Sequence, residues 1–252
     1  MVGAALVLSG CSMKMVDTNS ALQAGAAMVQ AFTITDDQVA SLCKQYMSES
    51  DGQNTVLPAN NSYMRRLAGI MAKFKNIGDL NVNYAVYQSE SINAFASGDG
   101  SVRVYTGLMD AMTDDELFAV VGHELGHLRN KDVRDAYRTS YMIVAARYGI
   151  SAFSQTAGAI SQGLLGDLGQ TLASNAYSRK QEYEADEAAY RHCIASGVDP
   201  FAMYKALNVL IRLNGDSASQ SRVLTMLSTH PGTAERAARI KAMAEADGYK
   251  LK

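Results

Sequence analysis

Residues 113–128 carry the strongest structural pattern in the sequence, that of a helix with a defined start. Thr113 and Glu116 have the spacing of a capping box, in which each side chain bonds the backbone N–H of the other residue. Apolar residues then recur at helical spacing, at Leu117, Val121, Leu125 and Leu128. Gly122 and Gly126 lower the stability of such a helix. We therefore predict that they let another backbone come close to it.

The same helix carries two histidines four residues apart, in the sequence His123-Glu124-Leu125-Gly126-His127. Side chains at this spacing share one helix face, about 5–6 Å apart at their Cβ atoms, so both imidazoles can bind one metal ion. Glu124 follows His123 in the helix and lies beside the same metal position, where it can act on a water molecule as a general base. Two histidines on a surface helix can also arise by chance, so the motif needs further ligands.

A second helical run, from Ser178 to about His192, has two acidic residues on one face, Glu182 and Asp186. A catalytic zinc site uses three protein ligands and an open position, and two His with one Glu is a known set. We expect Glu182 to be the third metal ligand and Asp186 to accept the outer N–H of a ligand His. Taken alone, the pair would be better explained as an exposed acidic face.

Length and composition indicate one domain with at most a small appendage. The chain has 252 residues, and its 23 Lys and Arg nearly balance its 25 Asp and Glu, so nothing indicates a nucleic-acid partner. Most segments have helical spacing, but residues 82–87, 92–96 and 102–106 resemble strands. We predict an α+β, mainly helical fold with about three strands beside the metal helix. An exposed sheet edge could bind an extended substrate, or the sheet could only cover the helix.

The N-terminus resembles a bacterial export signal. Residues 2–8 are apolar but far too few to span a bilayer. The following Leu8-Ser9-Gly10-Cys11 resembles the cleavage box of lipoproteins, in which the cysteine receives lipid. Ser12, a residue other than Asp, resembles the class sorted to the outer membrane. The alternative for Cys11 is an ordinary buried or disordered cysteine.

Two further features leave alternatives open. Cys43 and Cys193 could form a disulfide in an exported protein, but two separate buried thiols fit the sequence equally well. Residues 141–168 are apolar and rich in small side chains. Polar residues interrupt every window long enough to span a membrane, so we favour buried helices or a mobile flap with Gly158, Gly163 and Gly166.

The two motifs together resemble a known family. His-Glu-x-x-His at 123–127, followed by Ser-Arg-x-x-Glu-x-Glu-Ala-Asp at 178–186, is similar to the M48 family of zinc metallopeptidases (Ste24/HtpX-like). The segments Asn93-Ala94-Phe95-Ala96 and Ser228-Thr229-His230-Pro231 resemble further family signatures. The resemblance runs from about Phe32 to Lys241. With a lipoprotein-like start and no membrane helices, the chain most resembles the LoiP/YggG-type periplasmic lipoproteins.

The resemblance implies a zincin-like fold and a role for each matching residue. It implies one zinc ion (Zn2+) on His123, His127 and Glu182, with Glu124 as the general base. It also implies supporting roles for Asp186 and Arg236, and a substrate-binding segment at Asn93, Ala94 and Phe95. His230 resembles a histidine that blocks the open position in some relatives. It could instead stabilise the transition state, or serve only as a helix-entry turn.

These implications lead to an expected function and location. We expect a zinc-dependent endopeptidase that cleaves envelope proteins for quality control, lipid-anchored on the periplasmic side of the bacterial outer membrane. Residues 1–11 are then a signal remnant, 12–31 a tether and 32–252 the peptidase domain. The alternative is an outer-membrane assembly or chaperone factor with a latent protease site. Expected partners are protein or peptide substrates and assembly factors, with membrane contact only through the lipid on Cys11.

Overall fold

The computed structural model describes residues 36–75, 80–148, 162–174 and 176–251. Within these ranges the chain forms ten helices and three short strands. The elements in chain order are α1 (Asp36–Gln53), α2 (Ser62–Met71), β1 (Asn83–Tyr87), β2 (Ala94–Ala96), β3 (Ser101–Tyr105), α3 (Thr106–Ala111), α4 (Asp114–Arg129), α5 (Asp132–Tyr148), α6 (Gln162–Ser174), α7 (Arg179–Ser196), α8 (Ala202–Gly215), α9 (Gln220–Thr229) and α10 (Thr233–Ala246). The predicted mainly helical α+β fold is confirmed.

The three strands form one small sheet in the order β1-β3-β2. Strand β1 runs parallel to β3, with Tyr84 opposite Val102, and β2 runs antiparallel to β3, with Ala96 opposite Val102. Because β3 is central, β2 lies at an edge of the sheet. Strand β2 also packs against α4. The sheet therefore covers this helix, and β2 remains an edge strand.

Helix α4 lies at the centre of the fold. Every residue from Leu117 to His127 is buried, and α7 and α8 pack against it. Its capping box is present as predicted: the Thr113 hydroxyl accepts from the Glu116 N–H, and the Glu116 carboxylate accepts from the Thr113 N–H. A helix buried on all sides must be approached by other backbones, which its two glycines permit.

The glycines bring α4 and α7 into close contact. A Cβ added at Gly126 would lie 3.0 Å from the Cα of Ala185, and one added at Gly122 would lie 3.3 Å from the Cα of Ala189. The first contact in particular is shorter than ordinary packing allows, so a side chain there would push the helices apart. The predicted purpose of the two glycines is therefore confirmed.

The structure decides between the two alternatives for Cys43 and Cys193. Both are free thiols in the core, and burial raises the pKa of Cys43 to about 11 and that of Cys193 to about 12. The second alternative, separate buried thiols, is confirmed. Neither thiol is reactive near neutral pH, because the thiolate is the nucleophilic form.

The apolar segment 141–168 is described only in part. Residues 141–148 belong to α5 and residues 162–168 to α6, while the stretch between them, with Gly158, lies outside the described residues. Among the helices that the structure describes, none is long and apolar enough to cross a membrane. The lipidation site at Cys11 and the predicted tether also lie outside the described residues.

Candidate active site

Two capped helices supply most of the site. Helix α4 presents His123, Glu124 and His127 from successive turns, and α7 presents Glu182 and Asp186. Helix α7 starts at a second capping box, formed by Ser178 and Gln181, so Glu182 lies in its first turn. All five side chains are buried. Because the glycine contacts set the spacing of the two helices, the acidic residues of α7 meet the histidines of α4.

Four side-chain donor atoms converge between the helices, on His123, His127, Glu182 and His230, all within 4.8 Å of one another. The two histidine Nε2 atoms of α4 are 3.1 Å apart, and Glu182 Oε1 is 3.4 Å from His127 Nε2. His230 Nδ1 lies 3.2 Å from His123 Nε2 and 3.0 Å from Glu182 Oε1. Ligands of a tetrahedral ion with bonds of about 2.0–2.2 Å are separated by about 3.3–3.6 Å. The separations here, 3.0–3.4 Å, lie at or slightly below this range, so small side-chain shifts would let the donor set hold such an ion.

The outer nitrogens of both α4 histidines are occupied by carboxylates. His123 Nδ1 lies 2.9 Å from Asp186 Oδ1, and His127 Nδ1 lies 2.9 Å from Asp132 Oδ2. A proton on each Nδ1 leaves a lone pair on each Nε2. Two Nε2 atoms that face each other at 3.1 Å are stabilised by a cation between them, either a proton on one of them or a metal ion. The protein groups themselves therefore define a cation site.

The pKa values of His127 and Glu182 also indicate that positive charge is stabilised at this site. Burial opposes the charged form of His127, but hydrogen bonds to Asp132 and Glu182 raise its pKa to about 9. Burial also opposes the ionised form of Glu182, yet the hydrogen bonds from His127 and His230 lower its pKa far below the ordinary value. The pKa of His123 is lowered, chiefly by burial. Glu182 stays ionised and provides the negative charge that a cation needs.

His230 contacts Glu182 through Nδ1 and comes near Glu124 through Nε2. His230 caps the C-terminus of α9, where its N–H bonds the carbonyl of Met226. Its Nε2 lies 3.7 Å from Glu124 Oε1, too far for a hydrogen bond. Among the residues that the structure describes, no donor reaches this oxygen, although Glu124 is only 1% exposed. A buried carboxylate oxygen without a donor is expected to have a partner that is not a protein group, such as water or substrate.

Arg236 on α10 joins the two acidic residues of α7. Its guanidinium makes a two-point contact with Asp186 and an ion pair with Glu182 through Nη1. Nη1 also donates to the backbone carbonyl of His230 at 3.3 Å. The guanidinium is buried, and although burial disfavours its charge, the hydrogen bonds and charge of Asp186 raise its pKa. Arg236 thus connects α10 to α7 and to the end of α9, and its Nη2 also lies 3.5 Å from Nδ1 of His123 on α4.

The proposed substrate-binding residues lie at the edge of the sheet. Asn93 precedes β2, and Ala94 and Phe95 are its first two residues. Asn93 is buried, and no donor among the described residues reaches its Oδ1. The backbone carbonyl of Asn93 accepts from the N–H of Tyr105 on β3.

Sequence reasoning missed two residues that contact His127. Asp132 binds its Nδ1, and the Tyr177 ring stacks on the imidazole with centroids 3.9 Å apart and planes 14° apart. An acidic residue directly after the motif helix was a weak signal for Asp132. We find no sequence signal for Tyr177, which reaches the site because its N–H bonds the carbonyl of Thr229, beside His230.

The fold and the site define a class of protein. A buried helix with His-Glu-x-x-His that meets a glutamate of a second helix is the arrangement of metallopeptidases. The sequence matches the profile of Peptidase family M48 over residues 58–244, and the chain belongs to this family. It is therefore a metalloendopeptidase, and the predicted family is confirmed.

Two curated relatives match nearly the whole chain. Metalloprotease LoiP of Escherichia coli (strain K12) is 38% identical over 247 residues, covering 98% of this chain and 95% of the relative. Metalloprotease YcaL of the same organism is 36% identical over 239 residues, covering 94% of this chain and 92% of the relative. The crystal structure of S. mikatae Ste24p aligns with a TM-score of 0.47 and 16% identity, covering 89% of this chain and 58% of that one.

Proposed function

We propose that the protein is a zinc-dependent endopeptidase that cleaves envelope proteins in the periplasm as part of their quality control. The observation that carries the proposal is the convergence of the two histidine Nε2 atoms, 3.1 Å apart, with Glu182 Oε1, 3.4 Å from one of them. Family membership and the metalloprotease relatives support hydrolysis of peptide bonds.

Zinc is the proposed ion because of the donor set. Two neutral imidazoles and one carboxylate, held near tetrahedral spacing, match catalytic zinc sites, whereas magnesium and calcium prefer oxygen ligands in larger numbers. His123, His127 and Glu182 would hold the ion. When bound there, zinc supplies positive charge that polarises a scissile carbonyl and lowers the pKa of water to about 7.

Glu124 is the proposed general base. Its Oε1 is buried and has no hydrogen-bond donor among the described residues, so it can accept a proton from the attacking water. The same carboxyl group then returns that proton to the amine as the peptide bond breaks. Asp186 and Asp132 hold the outer nitrogens of the two histidines and keep both rings oriented.

Substrate is proposed to bind along β2. This strand is at the sheet edge and packs against α4, the helix that carries the metal motif. An extended peptide could pair with such an edge, where main-chain hydrogen bonds give affinity without requiring one particular sequence. The free Oδ1 of Asn93 could accept from a substrate N–H.

The proposed location rests on the N-terminal sequence. Leu8-Ser9-Gly10-Cys11 resembles a lipoprotein box, and lipid on Cys11 would anchor the domain to the periplasmic side of the outer membrane. Metabolic labelling with radioactive palmitate tests this proposal. The wild type should be labelled and Cys11→Ala should not, and equal labelling of both would contradict lipidation of Cys11.

The activity is tested with Glu124→Gln, which removes the base but preserves the shape of the side chain. We expect casein cleavage to fall by about 10²–10⁴-fold while the zinc content stays at one ion per chain. Glu184→Gln, an exposed acidic residue two positions from Glu182, is the matched control and should cleave normally. Normal cleavage by Glu124→Gln through its own site would refute the assignment of the base.

One observation favours a second function, that of an envelope assembly or chaperone factor with a latent protease site. His230 lies within the donor set, and the site is buried on all sides that the structure describes. A site closed in this way cannot accept a peptide until His230 moves. If Glu124→Gln restores envelope assembly in a deletion strain as well as the wild type does, the assembly role is supported. Failure to do so favours proteolysis.

A further inference from the structure

Asp132 is a buried acidic residue close to the metal motif. It is the first residue of α5, three positions after the end of α4, and is only 5% exposed. Its two carboxylate oxygens have different partners. Oδ2 lies 2.9 Å from His127 Nδ1, and Oδ1 accepts a hydrogen bond of 3.0 Å from Gln181 Nε2. Asp132 therefore joins α4 to the start of α7.

The turn before Asp132 adopts a backbone conformation that non-glycine residues rarely use. Lys131 has a φ of +65°, in the left-handed region, and is the sole non-glycine residue in that region among those the structure describes. The conformation is unfavourable for a residue with a Cβ, so contacts in the folded chain must maintain it. It separates the end of α4 from the start of α5, and the carboxylate of Asp132 then lies against His127.

Gln181 has two roles at the same time. Its Oε1 accepts from the backbone N–H of Ser178 at 2.9 Å, which completes the capping box of α7. Its Nε2 donates to Asp132. Glutamate also serves at this position of capping boxes, but it has no N–H to donate and would bring a second carboxylate next to Asp132. The amide of Gln181 is therefore suited to this position because it can donate to Asp132, in addition to completing the capping box.

The neighbour of Gln181 in the chain is Glu182, whose Oε1 lies 3.4 Å from His127 Nε2. Two hydrogen bonds, from His127 to Asp132 and from Asp132 to Gln181, are thus joined by the backbone between Gln181 and Glu182 and closed by the contact of Glu182 with His127. Fixing the ring through Nδ1 fixes the direction of Nε2, and fixing the start of α7 fixes the carboxylate opposite to it. The separation of these two donor atoms decides how well they bind one ion.

We propose that Asp132 and Gln181 are positioning residues that hold His127 and Glu182 at the spacing required for metal binding. The proposal rests on the proposed function in one respect, that His127 and Glu182 bind the metal. Asp132 acts through His127, and Gln181 acts through Asp132. Loss of either contact lets the ring turn and lowers the affinity for the ion, although the ligands themselves are unchanged.

The test measures zinc affinity by competition with a chromogenic chelator, using the full chain and Zn²⁺ alone as the probe. We expect Asp132→Asn to weaken binding about 10–100-fold, the usual effect of removing an outer partner of a ligand histidine. Asp135→Asn is the matched control, since Asp135 is also acidic, lies in the same first turn of α5 and is exposed. Equal affinity of Asp132→Asn and the wild type would overturn the proposal, as would an equal loss in both variants.

Gln181→Glu is the second variant, because it retains the capping box while it removes the donor to Asp132 and places a second carboxylate beside it. Its zinc affinity should also fall, while its helix content, measured by circular dichroism, should stay the same. The absorption spectrum of the cobalt-loaded protein separates positioning from simple destabilisation. At saturating Co²⁺, the visible bands of both variants should shift from those of the wild type, whereas unshifted bands contradict positioning.

The outcomes also separate this inference from the proposed function. Wild-type chain that binds no zinc would contradict the metal site itself. Wild-type chain that binds zinc tightly, with Asp132→Asn and Gln181→Glu binding equally well, would contradict only the positioning roles.

Discussion

Arg236 binds Asp186 through two parallel hydrogen bonds, from Nε to Oδ2 at 2.8 Å and from Nη2 to Oδ1 at 2.7 Å. The same Oδ1 lies 2.9 Å from Nδ1 of His123. Asp186 therefore shares its charge between a guanidinium on α10 and an imidazole on α4. The last helix of the chain thus takes part in orienting a histidine of the metal motif.

Replacing Arg236 should destabilise the fold strongly. Both partners are buried, and Arg236→Met would leave the carboxylates of Asp186 and Glu182 without their shared cation. Breaking a buried ion pair on one side costs about 3–5 kcal/mol. Arg236→Lys should cost less but remain harmful, because an ammonium group cannot form the two parallel bonds. The free energy of unfolding in urea, with zinc at saturation, measures both.

Arg239 provides the control for this prediction. It lies one turn further along α10, is half-buried, contacts Glu187 at 4.0 Å and lies over the ring of Tyr183, 4.9 Å from its centroid. Ion pairs and cation–π contacts that remain partly exposed contribute about 0–1 kcal/mol each, so Arg239→Met should lose much less stability than Arg236→Met. Similar losses in the free energy of unfolding of both variants would show that the buried ion pairs of Arg236 stabilise the fold no more than the contacts of Arg239 do.

Gly126→Ala should separate α4 from α7. The added methyl group would meet Ala185 Cα at 3.0 Å and Ala188 Cβ at 3.1 Å, and because the nearer atom belongs to the backbone of α7, relief requires a shift of that helix. Overpacking of this kind costs about 1–3 kcal/mol, more than the gain in helix propensity. We expect lower stability together with weaker zinc binding, since Glu182 moves with α7.

Gly69→Ala is the matched control for Gly126→Ala. Gly69 lies within α2, and a Cβ added there would have no described atom within 4 Å other than the adjacent backbone of its own helix. The free energy of unfolding of this variant should rise by about 0.5–1 kcal/mol, because alanine reduces the backbone entropy of the unfolded chain. Stabilisation by both alanines would mean that the contact between α4 and α7 tolerates a side chain.

The pairing of Asp51 with Arg103 should make stability depend on pH in the acidic range. Arg103 Nε and Nη2 each donate to Asp51 at 2.8 Å, and these bonds lower the pKa of the carboxyl group. Since the pKa is lower in the folded chain, the pair stabilises the fold above the unfolded pKa of about 3.9. This contribution is lost as the pH falls through the folded pKa.

Asp51→Asn should therefore be less stable than the wild type at pH 7, and the difference should shrink below about pH 4. Urea unfolding between pH 7 and pH 3 measures this difference. Glu184→Gln, with its exposed carboxyl group, should differ little from the wild type throughout this range. A difference for Asp51→Asn that stays constant down to pH 3 would contradict the account.

His230→Ala should increase peptide cleavage severalfold. In the structure Nδ1 of His230 lies 3.0–3.2 Å from two of the proposed ligand atoms, where it would occupy the fourth position around the ion. Its removal should open that position and leave three ligands. Lower activity would instead assign His230 to stabilisation of the transition state, and unchanged activity would remove it from the mechanism. His192→Ala, on the far part of α7 beside Phe74, is the control.

Local patterns were sufficient to predict several elements because they depend on residues close in sequence. The capping box at Thr113 and Glu116 and the strands around residues 83–87 and 101–105 follow from local spacing. The strand order does not, since β3 pairs with β1 in parallel and with β2 in antiparallel fashion. That order depends on a crossover that local propensity does not specify.

The sequence by itself determined that His123 and His127 share one helix face and that Glu182 and Asp186 share another, because both pairs are four residues apart on helices. It also indicated, through Gly122 and Gly126, that a backbone would pack against the motif helix. Only the tertiary structure decided which backbone that is. It also brought Asp132 to the outer nitrogen of His127 and His230 to the donor atoms. The contact of Asp132 with His127 depends on the turn at Lys131, and the contact of His230 with the donor atoms depends on the packing of whole helices, so regular helical spacing specifies neither.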